Sequence, residues 1–335
     1  MIMKYNAIRL FIFIIFCSFT ACNGQKTFGQ DYLIVDKIIS LTGVKGRIDH
    51  MAVNLKDRIV YIAALGNNTL EAVSLRNGKV LHSITGLDEP QGVCYIPQTR
   101  EIFVANGGSG DCYFYNSDNY EKVATVHLSS DADDVRYDST AGKIYVAYGS
   151  GDIAIIDAKD HAEVGSIELP SHPEAFEIDK RKNLLYVNLP KTGAIGVVDI
   201  NKLKLIGEWN KNYRQENFPM AIDTEGNKVF IGYRHPATLV VVDTKTGKRI
   251  AAEELTNDSD DLFYDARNNR VYASCGGGYI DIFQSQGGDH YKEIASVGTR
   301  NGARTSLLIP QLNLFVVCEP AYLNREADLV VYTIR

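Results

Sequence analysis

Tryptophan is almost missing from this chain: Trp209 is the only one in 335 residues. No Trp-Asp pair can recur, which removes the signature of WD40 repeats. Positive charge is also in deficit, with 35 Lys and Arg against 41 Asp and Glu and a formal charge of −6. No basic stripe interleaved with aromatics occurs, so nucleic acid is excluded as a partner class. The Gly-x-Ser-x-Gly elbow of covalent hydrolases is absent. Six cysteines are present, with neither a Cys-x-x-Cys pair nor a metal-knuckle spacing.

What is abundant is self-similarity. Short apolar runs built on an aromatic residue recur at Tyr61, Phe103, Tyr145, Tyr186, Phe230, Tyr272 and Phe315, at intervals of 42, 42, 41, 44, 42 and 43 residues. A period of roughly 40–45 residues with several short strands per unit predicts a β-propeller. Runs such as Ile59-Val60-Tyr61-Ile62 and Val229-Phe230-Ile231 suit strands buried on both faces. A looser strand precedes each, and a third follows that ends in a polar residue, as in Val197-Val198-Asp199. Turns such as Asn77-Gly78-Lys79 and Thr246-Gly247-Lys248 then lead to an alternating fourth strand.

The expected fold is all-β: a seven-bladed propeller with four-stranded blades. The last unit ends at Arg335 one strand short, and Tyr32–Ile39 supplies the missing outer strand from the other end. Closure in this way leaves no unpaired apolar edge. The predicted organisation is a signal segment over 1–22, a tether over 23–30 and one propeller domain over 31–335.

The runs Ile102-Phe103-Val104-Ala105-Asn106, Leu185-Tyr186-Val187-Asn188 and Val241-Val242-Asp243-Thr244-Lys245-Thr246-Gly247-Lys248 resemble the YncE-like, YVTN-repeat family of seven-bladed propellers. The resemblance implies the fold over the whole mature chain and implies no particular activity.

The first 22 residues carry Lys4 and Arg9, an apolar run over Leu10–Phe16, and then Ser18-Phe19-Thr20-Ala21-Cys22. That order resembles a bacterial lipobox and predicts Cys22 as the lipidation site, an ordinary secretory signal with an incidental cysteine being the alternative. The apolar run is too short to span a bilayer. Acyl chains on Cys22 would anchor the chain stably. The expectation is a periplasm-facing lipoprotein of a Gram-negative outer membrane, monomeric and tied to the membrane by its lipid alone. Cys17 leaves with the signal. Cys94, Cys112, Cys275 and Cys318 are expected as buried thiols, and a Cys275–Cys318 bridge is the alternative their placement leaves open.

In a propeller the first strand of each blade lines the central channel, and the loops entering those strands share one face. His50, Asp134, Asp261 and Arg304 each lie eleven residues before an aromatic anchor, and Gln91 and Glu174 lie twelve before. They should form a ring at the channel mouth, with His172 and Arg234 on the same face. Three uses are open to such a ring. It can hold a divalent ion through His50, His172, Asp133, Glu174 and Asp260. It can perform acid–base chemistry through crowded carboxyls. It can also grip a polar or anionic ligand, with Arg234 and Arg304 as forks. The expected function is capture of a small polar ligand or a partner protein at the mouth. A lactonase-like or lyase-like enzyme using a metal or histidine at the same place is the alternative. The inserts Asn210–Asn217 and Glu319–Glu326 enlarge the same face. The glycine runs Asn106-Gly107-Gly108 and Gly276-Gly277-Gly278 open no helix and are expected as turns.

Overall fold

A computed structural model describes residues 31–335. The signal segment, the tether and Cys22 lie outside the described residues. The 28 strands form seven antiparallel sheets of four, each made of consecutive strands except the last. That sheet contains Thr305–Ile309, Leu314–Glu319 and Ala327–Ile334, with Leu33–Leu41 as its outermost strand. The chain is therefore a seven-bladed propeller closed by its N-terminal strand, with blade 1 starting at Met51 and blade 7 completed by the closing strand.

Closure reproduces a detail found in every blade. Each outermost strand carries one extra residue opposite the third strand. In blade 1 Ala72 faces His82 while Val73 faces Val80, so Leu81 bulges out. The same shift occurs in blades 2 to 6. In the closing strand Asp36 is the bulged residue, between Val35 opposite Tyr332 and Lys37 opposite Val331. A bulge bends the strand and adds twist, which spoils the outer edge as a template for another chain. The outer strands need this protection, because Val35, Leu81, Val123, Val164 and Ile206 are all substantially exposed there.

The core is divided into wedges, each shared by two blades. Tyr61 and Ala63 of blade 1 pack with Ile102 and Val104 of blade 2. Phe103 and Ala105 in turn pack with Ile144 and Val146. The wedge between blades 7 and 1 holds Ile39, Leu41, Val60, Ile62, Val316, Leu329 and Val331.

One anchor departs from the sequence expectation. In blades 1 to 6 the aromatic anchor pairs with the residue nine before it, as Tyr61 does with Ala52 and Tyr272 with Phe263. In blade 7 that relation belongs to Val316 opposite Leu307. Phe315 faces backward instead and stacks on Tyr272, with ring centroids 5.2 Å apart. The smaller Val316 takes the forward position, in a wedge filled by aliphatic side chains.

Residues 215–217 do not belong to a loop. They extend the first strand of blade 5, Gln215–Asp223, with Gln215 opposite His235 and Asn217 opposite Tyr233. The four described cysteines are buried thiols, and the Cys275–Cys318 bridge is not made. Cys318 Sγ lies 3.5 Å from Met51 Sδ across the closing wedge.

Closure yields a stability prediction. Leu41 is fully buried in the closing wedge, whereas Ile38 on the same strand is 62% exposed. Leu41→Ala is expected to lower the unfolding free energy by about 2–5 kcal/mol, and Ile38→Ala by less than about 0.5 kcal/mol. Urea denaturation of the two variants measures this, and equal small losses would contradict a ring held by this strand.

Candidate functional site

The first strands of the blades converge on the axis, and all seven contribute to one central cavity of about 230 Å3. His50, Asp134, Arg136, Glu177, Asp260 and Asp261 supply its polar lining, and Val93, Met220, Phe263 and Leu307 are among its apolar residues. The residues at its mouth fall into three groups.

The first surrounds His50. Its Nε2 lies 3.8 Å from Asp49 Oδ1, 3.8 Å from Asp133 Oδ1 and 3.9 Å from Asp134 Oδ1. Its Nδ1 lies 3.8 Å from Asp261 Oδ1. These are charge contacts rather than hydrogen bonds. Burial opposes a charge on His50, but Asp49, Asp134, Asp261 and Asp133 outweigh it and lift the imidazole to about 9. The surrounding carboxyls therefore favour the protonated imidazole.

Asp134 and Asp261 are also stitches between blades. Asp134 Oδ2 accepts the Phe176 N–H of the next blade at 3.2 Å, and Asp261 Oδ2 accepts the Ser306 N–H at 2.6 Å. Arg136 pairs with Asp134 and, at 3.4 Å, with Glu177. At the blade 7 to blade 1 junction the same job falls to Thr305, whose Oγ1 donates to Ile48 O at 2.7 Å. Thr305 lies eleven residues before Val316, so the shifted anchor makes it the equivalent of His50, Asp134 and Asp261. Arg304 sits one position outside that tier.

The second group is a knot of arginines and aspartates. Arg304 Nη1 lies 2.8 Å from Asp258 Oδ1, and its Nε lies 2.9 Å from Asp260 Oδ2. Arg234 pairs with Asp260, approaches Asp258 Oδ1 at 3.4 Å and donates from Nε to Ser259 O. Its guanidinium lies over the Phe218 ring, 3.9 Å from the centroid. Arg47 is likewise bound to Asp49, at 2.8 Å. The expected open forks for an anion are therefore already closed by carboxylates.

The third group lies to one side. His172 Nδ1 sits 2.6 Å from Gly149 O and 3.6 Å from Asp131 Oδ2. Gln91 Nε2 reaches Asp131 Oδ1 at 3.5 Å. Gln91 is fixed there because its amide covers Gly107, where any Cβ would stand 2.0 Å from Nε2. His172 and Gln91 thus turn to Asp131 rather than to His50. The structure does not gather His50, His172, Asp133, Glu174 and Asp260 into a ligand set. Among the described residues no three His, Cys, Asp or Glu side chains are arranged to hold a metal ion.

Two carboxyls have neither an arginine partner nor a hydrogen bond. Asp133 Oδ1 is buried without a hydrogen-bond partner. The Glu174 carboxyl has neither a hydrogen bond nor an ion pair among the described residues. Burial first, and then the charge on Asp49 and Asp134, raises Asp133 to about 8. Burial, Asp133 and Asp260 raise Glu174 to about 9. Asp261 rises to about 7 and Asp49 also rises, burial being the main cause in both. The recurrence of His50, Asp134 and Asp261 before each anchor was the signal available in the sequence. Asp49 and Asp258 were missed, and only their adjacency to ring positions pointed to them.

No protein-family model matches this chain, and no curated protein matches it. Solved structures do. Hydrazine synthase of Kuenenia stuttgartiensis aligns over 89% of this chain and 99% of its own, with a TM-score of 0.73 and 15% identity. The WD40 repeats of RRP9 align over 90% of this chain and 100% of their own, with a TM-score of 0.76 and 10% identity. At such identities the likeness establishes the propeller and nothing finer.

The crowded mouth makes stability depend on pH in an unusual direction. Carboxyls raised to about 7, 8 and 9 bind protons in the folded chain that they release when unfolded. His50, raised to about 9, does the same above its ordinary value. The folded state then holds more protons throughout this window, so stability falls as pH rises. The thermal midpoint is expected to drop between pH 6 and 9, and Glu174→Gln, which fixes the neutral form, is expected to flatten the slope. A midpoint that rises over this range would contradict the assignment.

Proposed function

We propose that this chain is a lipid-anchored binding propeller of the YVTN-repeat kind, whose channel mouth captures a small polar ligand through an ammonium or guanidinium group. One observation carries the reading: Arg47, Arg136, Arg234 and Arg304 all have carboxylate partners, whereas Asp133 meets only His50, at 3.8 Å and without a hydrogen bond, and the Glu174 carboxyl has neither hydrogen bond nor ion pair among the described residues. What these two carboxyls lack is a hydrogen-bond donor. A cationic or strongly donating ligand satisfies those oxygens, and an anion would compete with carboxylates already in place.

Size favours a small molecule over a polypeptide. The cavity of about 230 Å3 lies below the 300–1,000 Å3 typical of drug-sized sites. Its apolar lining residues, among them Val93, Met220, Phe263 and Leu307, suit a short hydrocarbon portion beside the charged group. The metal-dependent enzyme reading draws no support, because His172 is held by Gly149 and Asp131 away from His50. Anchoring through Cys22 completes the proposal and would keep the propeller close to a membrane surface.

Calorimetry with 1,4-diaminobutane and with acetate tests the mouth. The diamine is expected to bind, to displace protons from Asp133 and Glu174, and to bind more tightly as pH rises through about 8 and 9. Glu174→Gln is expected to weaken it. Acetate binding as well as the diamine, or diamine affinity independent of pH, would defeat the proposal. For the anchor, Cys22→Ser should move the protein from the membrane fraction to the soluble one, and retention in the membrane would argue against lipidation.

A further inference from the structure

A second site lies on the outer rim between blades 4 and 5, away from the channel. There the outer strand of blade 4, Lys204–Trp209, runs into the insert that gives the chain its longest repeat interval. Asn210 and Tyr213 from this insert face the turn and outer strand of blade 5 across a groove of about 540 Å3. Gly247 on that turn has φ +69 and lies directly against the Trp209 indole, so close that a Cβ would stand 2.6 Å from Cδ1. The close approach fixes one wall of the groove.

The charges here are the reverse of those at the channel mouth. Lys248 and Arg249 line the groove, and no acidic residue does. The Arg249 guanidinium lies 3.3 Å from the Tyr213 ring centroid, and that of Arg214 lies 4.8 Å from it. Neither arginine, nor Lys248, has a carboxylate partner among the described residues. Of the nearby carboxylates, Glu208 pairs through Oε2 with Lys211 at 3.2 Å while its Oε1 is buried without a hydrogen bond, and Glu216 pairs with His235 at 2.9 Å. Two donors are moreover buried with nothing to receive their hydrogens, Asn210 Nδ2 and Arg214 Nε. A buried donor left unmatched is costly, because it has given up water without gaining an acceptor. Packing of guanidinium groups against one tyrosine holds them in place at little further entropic cost.

From these unmatched donors and unpaired cations we infer that the groove binds a phosphate group, carried either by a soluble ester or by a phospholipid head. Guanidinium groups pair with phosphate oxygens through two parallel hydrogen bonds, Lys248 adds a point charge, and Asn210 supplies a neutral donor. The groove is larger than a bare phosphate, so the phosphate is a substituent of a larger polar molecule.

Trp209, the only tryptophan, adjoins the groove through Asn210 and Gly247 and reports occupancy without labelling. The protein is titrated with inorganic phosphate, phenyl phosphate, and vesicles of phosphatidylglycerol or of phosphatidylcholine, following Trp209 emission. A saturable response to at least one phosphate-bearing probe is expected, weakening as salt is added. A response to the soluble probes assigns the ester as the source, and a response to vesicles alone assigns the lipid head. Arg214→Gln with Arg249→Gln is expected to weaken binding about tenfold or more. Lys248→Gln, at an exposed position with no packed ring, should weaken it independently of any effect on folding. No saturable response to any probe, or affinities unchanged in both variants, would overturn the inference.

Discussion

The pairing of Leu33–Leu41 with Ala327–Ile334 is the constraint on which the rest of this molecule depends. A propeller blade is apolar on both faces, so each blade is stable only between two neighbours. Six of the wedges are filled by blades adjacent in sequence. The seventh requires the two ends of the chain to meet, and it is filled by Ile39, Leu41, Leu329 and Val331 together with Val60 and Ile62 of blade 1. The closing strand repeats even the bulge of the other outer strands, at Asp36. It is a full member of blade 7 in geometry as well as in count.

Closure has an electrostatic consequence. Seven first strands are brought to one axis, and whatever side chains precede them are forced into a small volume. Here those side chains include Asp49, Asp133, Asp134, Glu174, Asp260 and Asp261. The chain moderates the repulsion in three ways. Arginines 47, 136, 234 and 304 neutralise some carboxylates. Backbone N–H groups of the following blade hold Asp134 and Asp261. Protons are retained by Asp133 and Glu174, the two carboxyls left without either. The same crowding that raises these carboxyls leaves acceptor capacity for a ligand that brings donors.

The architecture was legible because apolar strand patterns and turn glycines recur with the period of the blade. The closing strand was legible too, since the last unit falls one strand short and Tyr32–Ile39 is a strand-like apolar run at the other end of the repeat array. Phe315 misled because periodicity in residue type is blind to a one-residue shift in register. Stacking on Tyr272 won over the repeat, and the error moved Arg304 into a tier that belongs to Thr305. At the mouth, position before the anchor placed His50, Asp134 and Asp261 together, but spacing fixes only where a Cα lies. The direction of His172 was decided by Gly149 O and Asp131, and that of Gln91 by the bare surface of Gly107. The arginines shared a face as expected. Their pairing with Asp258 and Asp260 is a matter of side-chain reach that no repeat encodes.

Hydrogen exchange along Leu33–Leu41 tests the closed ring most directly. If this strand holds the circle shut, its paired amides exchange only through global unfolding, as slowly as those of Leu314–Glu319 in the same blade. Exchange of the whole strand on the timescale of exposed loops, with Leu314–Glu319 still protected, would contradict the account, because the mouth and its crowded carboxyls would then have no closed ring to hold them.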